Sequence, residues 1–226
     1  DAASVNWEQN EYDYAYKDGV QVIFGDEGAG TVTLVGALSP ASVSVNSSKD
    51  YTWNADATAG ETLIGSMKLT KDGSGKLTIN TTNNYTGGTE IKSGILLANN
   101  AKALGVGEVK LNGGTLEIGV NGITNTIKNT GNSTLATSAD ATHALTGIIS
   151  NSGTLTFSGA FQTSGLGQLS VRKAATYENA DGNEDSTGGF AKTAVQGIQL
   201  ANGSTVNKNA TILHGTVSLA LGTDGW

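Results

Sequence analysis

The sequence predicts an all-β fold, a β-solenoid whose coils are about 20 residues long. The main observation is a leucine that recurs at intervals of 19, 20, 19 and 20 residues, at Leu77, Leu96, Leu116, Leu135 and Leu155. Four of these leucines follow a glycine by two positions, and only Leu135 follows a serine instead. Because one coil cannot bury its own apolar face, we expect the coils to stack and to place the leucines in one inner column.

The composition is the second observation. The 226 residues include 32 glycines and 1 proline. This suits many turns between short strands, because glycine adopts positive φ and keeps its N–H group. Hydrophobic residues make up 37% and aromatic residues 6% of the chain, enough for a thin inner column but little for a thick globular core. The chain has no cysteine, which excludes a disulfide framework and a thiolate metal site.

The charge pattern limits the possible partners. The formal net charge is −7, and residues 1–30 hold seven acids against one lysine. Arg172 is the only arginine. Nucleic acids and anionic lipid surfaces are bound by clustered Lys and Arg, so we expect no nucleic-acid partner. The chain also lacks a run of 18 apolar residues, so we expect no transmembrane helix.

Residues 1–30 are predicted to form an aromatic and acidic N-terminal cap segment. Tyr12, Tyr14 and Tyr16 stand at alternate positions, so a strand would place the three rings on one face. One interpretation is an aromatic stripe that binds sugar rings. We favour an end cap, because the open first coil of a solenoid exposes strand edges that invite association.

Residues 31–226 are predicted to form the β-helix itself. Short strands rich in β-branched residues, bounded by Gly, Asn and Ser, follow one another from Thr31 onward. Asparagines in equivalent turns, such as Asn83-Asn84 and Asn99-Asn100, are expected to form side-chain ladders along the axis. The best helical candidate, residues 98–104, is long enough for one turn only. An antiparallel sandwich also has short strands, but it needs no motif that returns at this interval.

Residues 177–189 are predicted to leave the coil as an exposed loop, since they lack an apolar period and contain four acids. Oxygen ligands stand at alternate positions, as in calcium loops, at Asp181, Asn183 and Asp185. The EF-hand pattern then fails, because Ser186 stands where a glycine is required and Lys192 where a glutamate is required. We therefore expect a solvated loop and no cofactor.

Catalytic motifs are weak. Residues 72–75 (Asp-Gly-Ser-Gly) differ from the Gly-x-Ser-x-Gly loop of serine hydrolases, and His143 and His214 lack a recognisable partner pattern. Charged side chains of adjacent coils could converge in the groove of a polysaccharide-cleaving enzyme, and the candidates are Glu90, Lys92, Lys110 and Glu117. Opposite charges on neighbouring strands more often form cross-strand pairs. The sequence therefore favours a polar turn and ion pairs over an active site.

Residues 83–119 contain a specific series of motifs. It runs from Tyr85-Thr-Gly-Gly-Thr89 through Ile91, Gly94 and Leu96 to Ala103-Leu-Gly105, Gly107, Val109, Leu111 and Asn112-Gly-Gly-Thr-Leu116. This series resembles the passenger-associated repeat of bacterial autotransporters. Residues 69–79 resemble the stretch that leads into this repeat. The resemblance implies a right-handed parallel β-helix that is exported to the surface of a Gram-negative bacterium or secreted. It also implies that the repeat is associated with folding and export.

Members of that family end in a membrane β-barrel, and lipid-facing strands of about ten residues are not evident near the C-terminus here. We therefore expect a passenger fragment that meets a membrane only through a translocator barrel outside this chain. The expected function is non-catalytic structural display or adhesion, with a host glycan, a host protein or a second copy as partner. The alternative is a carbohydrate-active β-helix, a polysaccharide lyase or glycosidase. A convergent acidic cluster on one sheet face would favour the enzyme, and an uncharged Thr/Asn-lined face with a protruding loop would favour the adhesin or stalk.

Overall fold

The computed structural model describes residues 5–9, 12–58, 60–138, 142–144, 147, 149–151, 154–158, 160–163, 169–171, 198–200, 205–207, 210–214 and 217–218. Every regular element in these ranges is a β-strand, which confirms the all-β class. The chain divides into two compact units, Asp1–Val109 and Lys110–Trp226. Within the described ranges, no helix is long and apolar enough to span a bilayer.

The first unit begins with an antiparallel hairpin and continues as stacked parallel strands. Its strands are β1 (Val5–Gln9), β2 (Tyr12–Ala15), β3 (Gln21–Phe24), β4 (Gly30–Leu34), β5 (Ser42–Asn46), β6 (Tyr51–Ala55), β7 (Lys68–Asp72), β8 (Lys76–Ile79), β9 (Thr89–Ile91) and β10 (Ile95–Ala98). β1 and β2 form a sheet of their own. The other strands alternate between a first sheet, β3-β5-β7-β9, and a second sheet, β4-β6-β8-β10. This alternation is that of a parallel β-solenoid, as the leucine period predicts.

Alternation along each strand builds the interior of the first unit. In β8 and β10 every second residue is fully buried, and Leu77 lies in register with Leu96. Tyr51 lies in register with Leu77 from the other side. An inner column therefore exists here, as predicted. The chain between β6 and β7, residues 56–67, is longer than the equivalent connections between β4 and β5 and between β8 and β9, so one coil carries an insertion there.

Backbone hydrogen bonds also join the segments of the first unit that lie outside the two sheets. Leu38 and Leu63 form an isolated parallel bridge. The Thr62 N–H donates to the Thr82 carbonyl at 2.8 Å, and the Asn84 N–H donates to the Leu63 carbonyl at 2.8 Å. These bonds satisfy backbone groups in segments outside the two sheets.

The second unit contains strands of two to six residues. They are β11 (Val109–Leu111, beginning at the unit boundary), β12 (Thr115–Ile118), β13 (Ile127–Asn129), β14 (Asn132–Thr137), β15 (Thr142–Ala144), β16 (Ile149–Asn151), β17 (Thr154–Ser158), β18 (Ala160–Thr163), β19 (Leu169–Val171), β20 (Ile198–Leu200), β21 (Thr205–Asn207), β22 (Ala210–His214) and β23 (Val217–Ser218). β12, β14, β17 and β20 pair in parallel, as do β13, β16 and β19. β18-β22, β21-β22 and β20-β23 are antiparallel, so the stacked pattern changes to hairpin-like pairing.

The prediction that all five leucines occupy one column is wrong at Leu155. Leu116 is in register with Leu135, but Leu155 is in register with Ser133, and Phe157 lies opposite Leu135. The residue in register with Leu135 is therefore Phe157, and Leu155 lies two positions before it. The coil between these strands is longer than the interval between the two leucines. Because side chains alternate with period two, this shift keeps Leu155 facing inward, where it is fully buried.

Candidate functional site

The candidate site is the coil of residues 68–98, which we call the repeat coil, together with the loop of residues 99–108. Tyr85 is fully buried, and its hydroxyl lies 2.7 Å from the Thr89 Oγ1. Burial raises the pKa of the Tyr85 hydroxyl well above its ordinary value, and the hydrogen bond to Thr89 opposes that shift. Tyr85 therefore remains neutral and acts as an interior anchor that cannot meet a ligand.

A glycine in the loop allows Tyr85 to pack. Gly105 has φ +62°, a conformation that favours glycine. A Cβ atom at this position would clash with the Tyr85 carbonyl oxygen and would lie 2.9 Å from the tyrosine ring. The Ala-Leu-Gly run and the Tyr-Thr-Gly-Gly-Thr run are thus two halves of one packing arrangement.

Asn83 links three successive coils from inside. Its side chain is fully buried, and its Oδ1 accepts hydrogen bonds from the Thr62 hydroxyl, the Thr81 hydroxyl and the Leu63 N–H. Its Nδ2 donates to the Ala103 carbonyl at 2.7 Å. Such a buried amide stabilises only the arrangement in which all its partners are present, because an unsatisfied partner costs about 1–3 kcal/mol.

An asparagine ladder runs along one corner of the first unit. The Asn80 Nδ2 donates to the Asn54 Oδ1 at 2.7 Å, and the Asn99 Nδ2 donates to the Asn80 Oδ1 at 2.8 Å. The ladder expected from asparagines in equivalent turns is therefore present, and Asn99 belongs to it. Asn83 forms the interior network instead. Each donating amide uses one of its two N–H groups in the ladder.

Residues 72–75 form a corner between β7 and β8, with no nucleophile arrangement among the described side chains. The Asp72 Oδ1 accepts hydrogen bonds from the Ser93 hydroxyl at 2.8 Å and the Gly73 N–H at 2.9 Å. The Ser93 bond, followed by the Gly73 bond, lowers the pKa of Asp72 below its ordinary value. Ser74 is exposed. The predicted polar turn is what the structure shows.

Of the charged candidates, Glu90 forms an ion pair with a lysine of a neighbouring strand. The Glu90 Oε2 accepts from the Lys68 Nζ at 2.6 Å, and the Glu90 side chain is 10% exposed. Thr70 is the in-register partner of Glu90, so Lys68 reaches it diagonally across neighbouring strands. This is a cross-strand pair of the expected kind, with a partner that sequence reasoning missed. In the part of the chain that the structure describes, no cluster of three or more His, Asp or Glu could hold a metal.

Outward threonines line up on the second sheet of the first unit and on the corresponding strands of the second unit. In the first unit Thr31, Thr52 and Thr78 are in register, followed by Leu97. In the second unit Thr115, Thr134 and Thr156 are in register. We call the first unit's threonine column, together with the asparagine ladder beside it, the Thr/Asn face. Its polar groups repeat at about 4.8 Å, the spacing between strands.

The aromatic candidates are only partly described. Tyr12 and Tyr14 lie in β2, opposite Gln9 and Trp7. Tyr16 follows that strand and is buried, and its hydroxyl donates to the Asp18 Oδ1 at 2.9 Å. Tyr16 lines an apolar cavity of about 20 Å³ together with Phe24 and Trp53. A buried ring of this kind packs the first coil rather than receiving a sugar.

The remaining candidates are the calcium-type loop and the two histidines. The calcium candidates, Asp181, Asn183 and Asp185, and the loop of residues 177–189 lie outside the described residues. His143 is buried, and burial lowers the pKa of its imidazole. It is in register with Phe161, whereas His214 is in register with Ala160, one position away along the same strand. The two histidines are therefore not register partners.

The repeat coil matches a known family. Residues 69–98 match the family model described as passenger-associated-transport-repeat. The match overlaps the resemblance seen in residues 83–119 and includes the lead-in stretch of residues 69–79. Neither curated proteins nor solved structures give a match. The repeat and the β-solenoid fold together fit an autotransporter passenger.

Proposed function

We propose that this chain is a non-catalytic passenger of an autotransporter-like protein, displayed at the surface of a Gram-negative bacterium or secreted, and that it serves as a stalk or adhesin. The observation that carries this proposal is the Thr/Asn face. Its two columns, Thr31-Thr52-Thr78-Leu97 and Thr33-Asn54-Asn80-Asn99, contain no charged residue. An uncharged Thr/Asn face is one of the two features expected of a stalk or adhesin. The other, a protruding loop, is predicted for residues 177–189, which lie outside the described residues.

The chemistry of this face suits binding better than turnover. Hydroxyls and amides donate and accept hydrogen bonds, but a general acid or base needs a group that titrates near the working pH. Three acids of the first unit that lie outside this face are engaged in bonds of their own. Glu90 is paired with Lys68, Asp72 accepts from Ser93, and the Asp26 Oδ1 accepts from the Ser47 hydroxyl at 2.8 Å.

The partner we propose is a host glycan or protein, or a second copy of the chain, held by many weak hydrogen bonds. Each single bond contributes about 0.5–1.5 kcal/mol, so binding depends on several coils acting together. Presentation of many copies on one surface would raise the overall strength by 10²–10⁴-fold, an approximate range for linked sites. The two columns are uncharged, so hydrogen bonds to them should depend little on salt. The nearest charged side chain on this side of β8 is Lys76, two positions before Thr78.

Adhesion of beads coated with the chain tests this proposal. The variant Thr52→Asp with Thr78→Asp places two carboxylates on the Thr/Asn face, and Ser44→Asp places one on the outward side of the first sheet as a control. The targets are immobilised neutral polysaccharide, epithelial cells and a surface that carries the chain itself. We expect the double variant to lose adhesion to the target that the wild type binds, and the control to retain it. Equal adhesion by both variants would contradict the proposal.

A turnover assay checks the non-catalytic part. We expect no release of reducing sugar or unsaturated product from a polysaccharide panel. Product formation that disappears in Glu90→Gln or Asp72→Asn would show that the chain is a carbohydrate-active enzyme and not an adhesin.

A further inference from the structure

A lysine lies inside the repeat coil, in a column that is otherwise apolar. Lys71 is in register with Val45 on the preceding strand and with Ile91 on the next, and Val45 is in register with Phe24. Only 1% of Lys71 is exposed. Burying a charged group this deeply is costly unless each of its donors has an acceptor.

The ammonium group finds those acceptors in two consecutive corners. The Lys71 Nζ donates to the carbonyl oxygens of Asp72 at 2.7 Å and Gly73 at 2.8 Å, both in its own corner. Its third acceptor, the Ser93 carbonyl at 3.4 Å, belongs to the next corner along the axis. The ammonium has three N–H donors, so its hydrogen bonding is complete only when the later corner is in place.

The later corner also closes over the lysine. Gly94 has φ +65°, and a Cβ atom there would clash with the Gly73 carbonyl oxygen and lie 2.7 Å from the Lys71 Nζ. Ser93 adds its hydroxyl bond to the Asp72 carboxylate. Serine and glycine at these positions therefore cover the lysine, complete its acceptors and supply the partner of the neighbouring acid.

We propose that Lys71 is an interlock, a residue that allows only one segment to stack as the next coil. Its ammonium group is fully hydrogen-bonded only when the stacking segment provides the Ser93-Gly94 corner. While the corner of residues 72–75 is the last corner folded, Lys71 faces water and its charge costs little. A later segment that docks without the matching corner buries the ammonium with an unsatisfied donor. Selection is needed here because several segments of this chain share the Gly-x-Leu pattern, and apolar stacking alone accepts any of them.

The electrostatics agree with this geometry. Burial lowers the pKa of Lys71 below its ordinary value, and the carboxylates of Asp72 and Asp50 oppose that shift. The folded chain therefore tolerates the charge because of the corner carbonyls and two acids, and removing the corner that covers the lysine removes part of that support.

Lysine labelling of the whole chain is the first test. Reductive methylation with formaldehyde and a borohydride reagent, followed by mass spectrometry, reports each lysine separately. We expect Lys71 to stay unmodified in the wild type while Lys68, whose side chain is 49% exposed, is modified. In Gly94→Ala we expect Lys71 to become modified as well. Methylation of Lys71 at the rate of Lys68 in the wild type would overturn the proposal.

A double-mutant cycle is the second test, and it separates an interlock from a simple clash. Gly94→Ala is made in the wild type and in Lys71→Met, which removes the ammonium and keeps a long, unbranched side chain. We expect the Tm loss caused by Gly94→Ala to be at least about 3 °C larger when lysine is present, as for coupled neighbours. Equal losses in both backgrounds would show that the alanine merely clashes with backbone.

Gly75→Ala is the matched control. A Cβ atom at position 75 would clash with the Lys49 carbonyl oxygen, which belongs to the preceding corner and not to the Ser93-Gly94 corner. Its Tm loss should therefore be the same with Lys71 and with methionine. If Lys71→Met does not fold, the labelling experiment on the wild type and Gly94→Ala still decides the matter.

Discussion

The repeat coil of the first unit and the stretch of residues 132–158 in the second unit follow nearly the same leucine spacing but differ in register. Leu77 and Leu96 are partners on adjacent strands. Leu135 and Leu155 are separated by one position more and are not partners, because Leu135 lies opposite Phe157. A sequence period thus indicates which residues face inward, whereas register depends on the length of the corners.

The interiors of these two regions also differ. The repeat coil buries Lys71, Asn83 and Thr89 with hydrogen-bonded partners, and its corners approach so closely that a Cβ atom would clash. In the second region the described inward positions include Ser133 and Leu135, and the Ser133 hydroxyl accepts from the Gly113 N–H at 3.0 Å. Buried polar bonds hold register where apolar packing alone does not distinguish a shift of two positions. Tight corners do not separate the two regions, because a Cβ atom at Gly147 would clash with the Asn125 carbonyl oxygen.

The largest expected effect is the loss of the Tyr85 ring. Tyr85→Ala should reduce the free energy of unfolding by about 3–5 kcal/mol, because a fully buried aromatic side chain leaves a cavity. Tyr85→Phe keeps the ring and removes only the bond to Thr89, so it should cost about 1 kcal/mol. Urea unfolding measures both. Similar losses for the two variants would mean that the hydroxyl, and not packing, anchors the coil.

Double mutants of two leucine pairs test the difference in register between the two regions. Leu116→Ala should cost about 2–5 kcal/mol as a core truncation. In a double-mutant cycle, Leu116→Ala and Leu135→Ala should show a coupling energy of about 0.5–3 kcal/mol, since these residues are register partners. Leu135→Ala and Leu155→Ala should couple more weakly. Stronger coupling in the second pair would contradict the observed register.

The asparagine ladder predicts a smaller effect with an internal comparison. Asn80 has a ladder bond on each side, whereas Asn99 has one ladder bond, to Asn80. Asn80→Ala should therefore cost about 1–2 kcal/mol and Asn99→Ala about half as much, from the number of bonds removed. Thermal unfolding of the two variants gives the order. The reverse order would show that the ladder bonds do not decide stability here.

The smallest expected effect is on the stability of the fold at acidic pH. The Ser93 hydroxyl lowers the pKa of Asp72 in the folded state, so the folded chain binds fewer protons than the unfolded chain near the ordinary pKa. The resulting stability is present above pH 3.8, the ordinary value, and is lost as the pH falls through the folded pKa. Ser93→Ala should weaken this dependence. Melting temperatures of both proteins, measured from about pH 6 downward, provide the comparison, and parallel curves would contradict it.

Several features could be foreseen from the residues themselves. Alternation predicted the inward faces of β8, β10 and β12, and the Gly-x-Leu pattern predicted where each corner meets its strand. The sequence also contained a signal for Lys71, since it stands two positions after Leu69 and so on the same face. That signal was not recognised because a lysine at the end of a strand is usually solvated.

By itself, the sequence determined the strands, their inward faces and the resemblance to a passenger repeat, because period-two alternation and turn residues act within a few positions. Only the tertiary structure decided that Glu90 pairs with Lys68, that Asn83 joins three coils, and that Leu155 lies beside Ser133. Those contacts join residues of neighbouring coils. They depend on corner lengths and on how closely one backbone approaches the next, and neither is encoded locally.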